Sequence, residues 1–117
     1  MIKIAIDAFG GDHAPHAVVE GALEALRDYD DIEITLCGRE DAIREELRES
    51  KYDERRLHVL NATEVIDCHE QPTFAIKKKK DSSLVRALEL VAKKEADCIV
   101  SAGSTGAAMA ASLFGLG

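Results

Sequence analysis

Short apolar runs and longer segments with apolar residues three and four apart take turns along the chain, and this alternation predicts the elements. Ile2 to Ala8 is near-continuously apolar and β-branched, the pattern of a strand covered on both faces, and it runs out at Asp7, Gly10 and Gly11. From about His16 to Tyr29, the residues Val18, Val19, Ala22, Leu23, Ala25 and Leu26 form one broad helical face. Ile32 to Cys37 reads as a second strand ended by Gly38. Asp41 to Ser50 reads as a helix with a narrow stripe at Ile43 and Leu47, and Leu57 to Leu60 as a short third strand.

The rhythm lapses between Asn61 and Gln71, a long connection of the kind that carries function in compact domains. Pro72 opens a short predicted helix to about Lys79. Asp81, Ser82 and Ser83 then cap a longer one over Leu84 to Glu95, with Leu84, Leu88, Val91 and Ala92 as its expected buried face. Cys98 to Ala102 is a fourth strand, Gly103 to Gly106 a tight turn, and Thr105 onward an Ala-rich helix with Ser104 as N-cap. Met109 to Gly117 has almost no polar face, so it needs partner structure, and the chain is expected to be the N-terminal piece of a longer one. The β-α-β-α-β order with right-handed crossovers predicts an α/β fold with a parallel sheet and helices on its faces.

Length sets the count at one domain, since the sequence has 117 residues. Its 46% hydrophobic and 32% charged content is that of a globular chain, and 4% aromatic residues without Trp point to aliphatic packing. Fifteen basic against twenty-two acidic residues, a net charge of −7, argue against nucleic acid or an anionic membrane as a general partner. Cys37, Cys68 and Cys98 lack CxxC spacing and are expected to be buried free thiols. Asp7 interrupts the N-terminal apolar run before a signal-peptide core forms, and no run approaches the roughly 20 residues of a membrane span, so a cytoplasmic protein is expected.

Two clusters follow strands and would open on one C-terminal sheet edge, where α/β proteins bind ligands: Asp7 to Pro15 and Ser101 to Gly106. A strand that turns through glycine into a helix aims backbone N–H groups and the helix dipole at one spot, which suits an anion. The hydroxyls of Ser101, Ser104 and Thr105 add donors. Neither cluster completes GxGxxG or GxxxxGK[ST], so a phosphate-sized anion fits better than a dinucleotide. Asp7 and Asp12 are read either as paired carboxylates for proton transfer or a metal, or as turn caps; His13 is read as a substrate contact or a solvated side chain. His16, His58 and His69 show no zinc spacing with the cysteines and are expected to be structural; no metal site or cofactor is assigned. Lys77 to Lys80 with Arg86 either bind phosphate or an acidic partner, or form a solvated helix end.

Read in order, Ile-Asp-Ala-Phe-Gly-Gly-Asp-His-Ala-Pro, Lys-Lys-Asp-Ser-Ser and Val-Ser-Ala-Gly-Ser-Thr-Gly-Ala resemble the N-terminal part of the PlsX family of phosphate acyltransferases. The commonest family forms carry Met where Phe9 stands and often Asn where Ser104 stands. The resemblance implies a three-layer α-β-α fold with a mainly parallel sheet, similar to isopropylmalate dehydrogenase and phosphotransacetylase. It implies transfer of a fatty acyl group from acyl carrier protein to inorganic phosphate, a homodimer, and peripheral membrane association. It also implies site positions at Asp7, Asp12 and His13 for catalysis. Phosphate or substrate would be held by Gly10, Gly11, Lys80, Asp81, Ser82, Ser83, Ser101, Gly103, Ser104, Thr105 and Gly106. A coenzyme A-dependent phosphotransacetylase and a non-catalytic ligand-binding module are the competing readings.

Overall fold

The computed structural model describes residues 1–10, 13–65, 79 and 81–102. In chain order the elements are β1 (Ile2–Asp7), α1 (His16–Asp28), β2 (Ile32–Gly38), α2 (Glu40–Leu47), β3 (Leu57–Asn61), α3 (Ser83–Ala92) and β4 (Cys98–Val100). The strands form one sheet in the order β3-β2-β1-β4, and every pairing is parallel. The chain thus builds outward from β1 through β2 to β3, then crosses back with α3 to place β4 on the other side of β1.

Strand alternation sorts the core into two halves. Ile4, Ile6 and Ala8 of β1 and its exit join Ile32, Ile34 and Leu36 of β2 against Val19, Ala22 and Leu26 of α1 and Ile43 and Leu47 of α2. Ala5 and Cys37 point to the opposite face and meet Ala87 of α3, with Leu60, Leu90 and Ile99 around them. Small side chains at Ala5 and Ala87, both 0% exposed, let α3 sit close to the sheet. Helices on both faces make the three-layer α/β arrangement that the element order implies.

Element boundaries moved where tertiary contacts overrode local pattern. Helix α3 ends at Ala92 because Lys94 adopts a left-handed φ of 62°, and the N–H groups of Glu95 and Ala96 turn back to the carbonyl of Leu90. No glycine marks that stop, so the sequence pattern runs on to Glu95. Ala87 takes the buried position expected for Ala92, which is exposed, because the face follows Leu84, Ala87, Leu88 and Val91. Cys37 is a buried free thiol as expected, but Cys98 is exposed: it shares a face with Ile4, its partner in register, rather than with the α3 side. The helices expected over Pro72 to Lys79 and from Thr105 onward, and Cys68, lie outside the described residues.

Two further contacts fix the frame. The Arg56 guanidinium donates to the carbonyls of Ile32 at 3.1 Å and Leu26 at 3.2 Å and to that of Tyr29, closing the carbonyl end of α1 onto the start of β2. At the end of β2, a Cβ on Gly38 would stand 2.3 Å from the Phe9 ring, so only glycine lets the β1 exit pack there.

Candidate active site

At the C-terminal end of β1, Asp7 follows Ala5 onto the α3 side of the sheet and is 5% exposed. A carboxylate buried that deeply is costly unless donors replace its lost water. The Ser83 hydroxyl donates to Oδ1 at 2.5 Å, the Phe9 N–H to Oδ1 at 3.1 Å, and the Ser101 hydroxyl to Oδ2 at 3.0 Å. Ser83 is the first residue of α3, so the positive end of that helix also lies against the carboxylate. One side chain thereby joins the exit of β1, the start of α3 and the exit of β4.

Cys37 stands opposite Asp7 in the β1–β2 register. Burial, reinforced by the charge of Asp7, pushes its thiol up to about 12, which keeps it protonated and inert.

The start of α3 is held by a second set of contacts. Glu64 and Ser82 form an isolated parallel bridge, in which the Glu64 N–H donates to the Asp81 carbonyl and the Ser83 N–H to that of Glu64. The Asp81 carboxylate accepts from the Thr63 hydroxyl at 2.6 Å, the Arg86 guanidinium at 2.7 Å and the Thr63 N–H at 3.1 Å. These donors, the Thr63 hydroxyl foremost, lower the Asp81 carboxyl to about 2. Ser82 is fully buried and its hydroxyl accepts from the Val85 N–H at 3.2 Å, an N-cap as expected from sequence. Arg86 also pairs with Glu89, and the Lys79 ammonium donates to the Val65 carbonyl, so both basic groups have internal partners.

Of the residues singled out from sequence, the structure brings Asp7, Ser83 and Ser101 together. Asp81 and Ser82 adjoin them through α3. Gly10 lies in the turn after Asp7, its N–H 3.4 Å from the Asp7 carbonyl, and His13 is exposed before α1. Gly11, Asp12, Lys80, Gly103, Ser104, Thr105 and Gly106 lie outside the described residues. His16 and His58 pair with Glu46 and Glu33 on the surface, as structural histidines do. Thr63 and Glu64 were not legible as part of this edge, because a contact across eighteen residues leaves no local pattern. Among the described residues, no group of three or more His, Cys, Asp or Glu is placed to hold a metal ion.

A cleft of about 320 Å³ runs between α1 and β4 beside this cluster, with Ile4, Ile6, Val18, Ala22, Val100 and Ser101 on its wall. Among the described residues no helix is long and apolar enough to cross a membrane.

A model of the family described as "Fatty acid synthesis protein" matches residues 2–117. The chain belongs to that family. The fatty acid synthesis protein family is represented among its relatives by proteins named phosphate acyltransferase. One from Clostridium perfringens (strain SM101 / Type A) is 51% identical over 106 residues, 91% of this chain and 31% of the relative. Another from Clostridium tetani is 50% identical over 116 residues, 99% of this chain and 35% of the relative. A third from Dictyoglomus turgidum is 47% identical, again over 99% of this chain and 34% of the relative. The PlsX resemblance read from the motifs therefore holds, and the chain spans about a third of the length of these curated relatives.

Proposed function

We propose that the full-length protein moves a fatty acyl group from acyl carrier protein to inorganic phosphate, giving acyl phosphate for phospholipid synthesis. The observation that carries this reading is the convergence of Asp7, Ser83 and Ser101 on the C-terminal edge of a parallel sheet, in a chain whose relatives are named phosphate acyltransferases. In the reaction a phosphate oxygen attacks the thioester carbonyl, the C–O bond forms as the C–S bond breaks, and the proton of monohydrogenphosphate ends on the departing carrier thiol. Such a step needs a held phosphate, donors toward the carbonyl oxygen as charge gathers there, and exclusion of water.

In this reading Gly103, Ser104, Thr105 and Gly106 cradle the phosphate, with Ser101 beside it. Gly10, Gly11, Asp12 and His13 form the opposite wall, where Asp12 and His13 manage protons. Lys80 contributes to substrate binding, while Asp81, Ser82 and Ser83 act through α3 by keeping its first turn against Asp7. The apolar cleft beside Ser101 offers the aliphatic chain a surface next to the anion site. A cytoplasmic homodimer that associates peripherally with the membrane completes the proposal.

The test is acyl-phosphate formation by the full-length protein with an acyl carrier protein thioester and phosphate, beside a Ser104→Pro, Gly106→Val double variant. Phosphate-dependent turnover that the variant loses, with circular dichroism unchanged, supports the reading. Turnover with coenzyme A thioesters alone would replace it by a phosphotransacetylase, and silence with both by a binding module.

A further inference from the structure

Between β1 and β4 the strand order reverses: the sequence climbs outward from β1 through β2 to β3 on one side and resumes with β4 on the other. Ligands of open α/β sheets bind at such a switch point, in the crevice beyond the carboxyl ends of its two strands. The parallel register pairs Ile6 with Val100, so Asp7 and Ser101 stand side by side one step further on. Asp7 holds both exits. Its Oδ1 accepts from the Phe9 N–H at 3.1 Å, on the path out of β1, and its Oδ2 from the Ser101 hydroxyl at 3.0 Å, on the path out of β4. The Ser83 hydroxyl, at the start of α3, also donates to Oδ1. At 5% exposure and with donors on both oxygens, this carboxylate has no bare oxygen with which to reach a substrate.

We propose that Asp7 is a positioning residue: its carboxylate sets the spacing between the two loops that flank the switch point and takes no proton in the reaction. The loop that begins at Ala8 and the turn that begins at Gly103 both start within two residues of its donors Phe9 and Ser101. Tying those donors to one planar group therefore fixes where both walls of the crevice begin. A misplacement of about 1 Å at such a point costs on the order of a hundredfold in rate, although the displaced residue touches no reacting atom. The inference rests on the phosphate site of the proposed function and gives Asp7 a part in it that is geometric and not proton-transferring.

The experiment assays acyl-phosphate formation, with phosphate binding by calorimetry in parallel, in the full-length protein and its Asp7→Asn, Asp7→Ala, Ser101→Ala and Asp7→Ala, Ser101→Ala variants. Asp7→Ala should lower kcat/KM for phosphate about a hundredfold. Asp7→Asn keeps the shape and the acceptor toward Phe9 and Ser83, so it should lose about tenfold or less and retain the wild-type pH profile. The two alanine changes should not multiply, because each releases the same tie. A general base predicts Asn and Ala variants that are equally inactive, with one limb of the pH profile gone. That result overturns the inference. So does an unchanged kcat/KM for phosphate in folded Asp7→Ala, the mark of a purely structural role that only the urea midpoint registers, and so does a double variant whose losses multiply. If Asp7→Ala does not fold, Asp7→Asn takes its place in the double variant, and multiplied losses there overturn the inference. A wild type that binds phosphate but makes no acyl phosphate refutes the acyltransferase reading, and the same comparisons then decide this inference on the dissociation constants for phosphate. A wild type that binds no phosphate overturns both.

Discussion

Asp7 shows how one residue's burial dictates its neighbours. A carboxylate at 5% exposure keeps its charge only where donors converge, and the shortest of these comes from Ser83. Replacing Ser83 by Ala leaves Oδ1 with the Phe9 N–H as its remaining donor among the described contacts. The loss should cost about 1–3 kcal/mol, read as a lower urea midpoint in the full-length protein, while Ser83→Thr should recover part of it. Cys37 makes the converse point. With its thiol pushed up to about 12 by burial and by Asp7, it should resist iodoacetamide at pH 8 in the native protein and react only on unfolding. Native labelling of Cys37 at the rate of a free thiol would contradict that environment.

Among the elements, α3 carries the most information, because its first turn holds the site and its last turn is strained. Lys94 ends it in the left-handed region, which costs a residue with a Cβ about 1–2 kcal/mol relative to glycine. Lys94→Gly should therefore stabilise the full-length protein by roughly 1 kcal/mol in urea denaturation, and Lys94→Val should destabilise it. The start of the same helix was legible: Asp81, Ser82 and Ser83 announce a cap, and Ser82 forms it. Its end was not, because left-handed closure at a lysine is selected by the path into β4, which no local pattern contains. Strands β1 and β2 were read almost to the residue for the opposite reason, since continuous apolar and β-branched runs leave little freedom of placement.

On the scale of the molecule, the site depends on a layer being locked to an edge. Thr63 after β3 and Arg86 on α3 are joined through Asp81, so this carboxylate couples one connection of the sheet to the helix above it. Its folded value of about 2 lies below the ordinary 3.8, so the stability it adds is fully present above that ordinary value and is lost as pH falls through about 2. Wild-type full-length protein should lose urea resistance between about pH 4 and pH 2, and Asp81→Asn should flatten that part of the profile. An identical slope in the variant would show that the linkage lies elsewhere. By itself the sequence determined the α/β class, the strand-helix order, the cap of α3 and the motifs that place this chain in its family, because each is written in local spacing. Only the tertiary structure decided that Asp7 faces α3, that its oxygens accept from Ser83 and Ser101, that Cys98 is exposed, and that Thr63 and Asp81 meet. Those outcomes come from strand register and from the crossover that sets β4 beside β1, and contacts made across such distances leave no trace in any single stretch of chain.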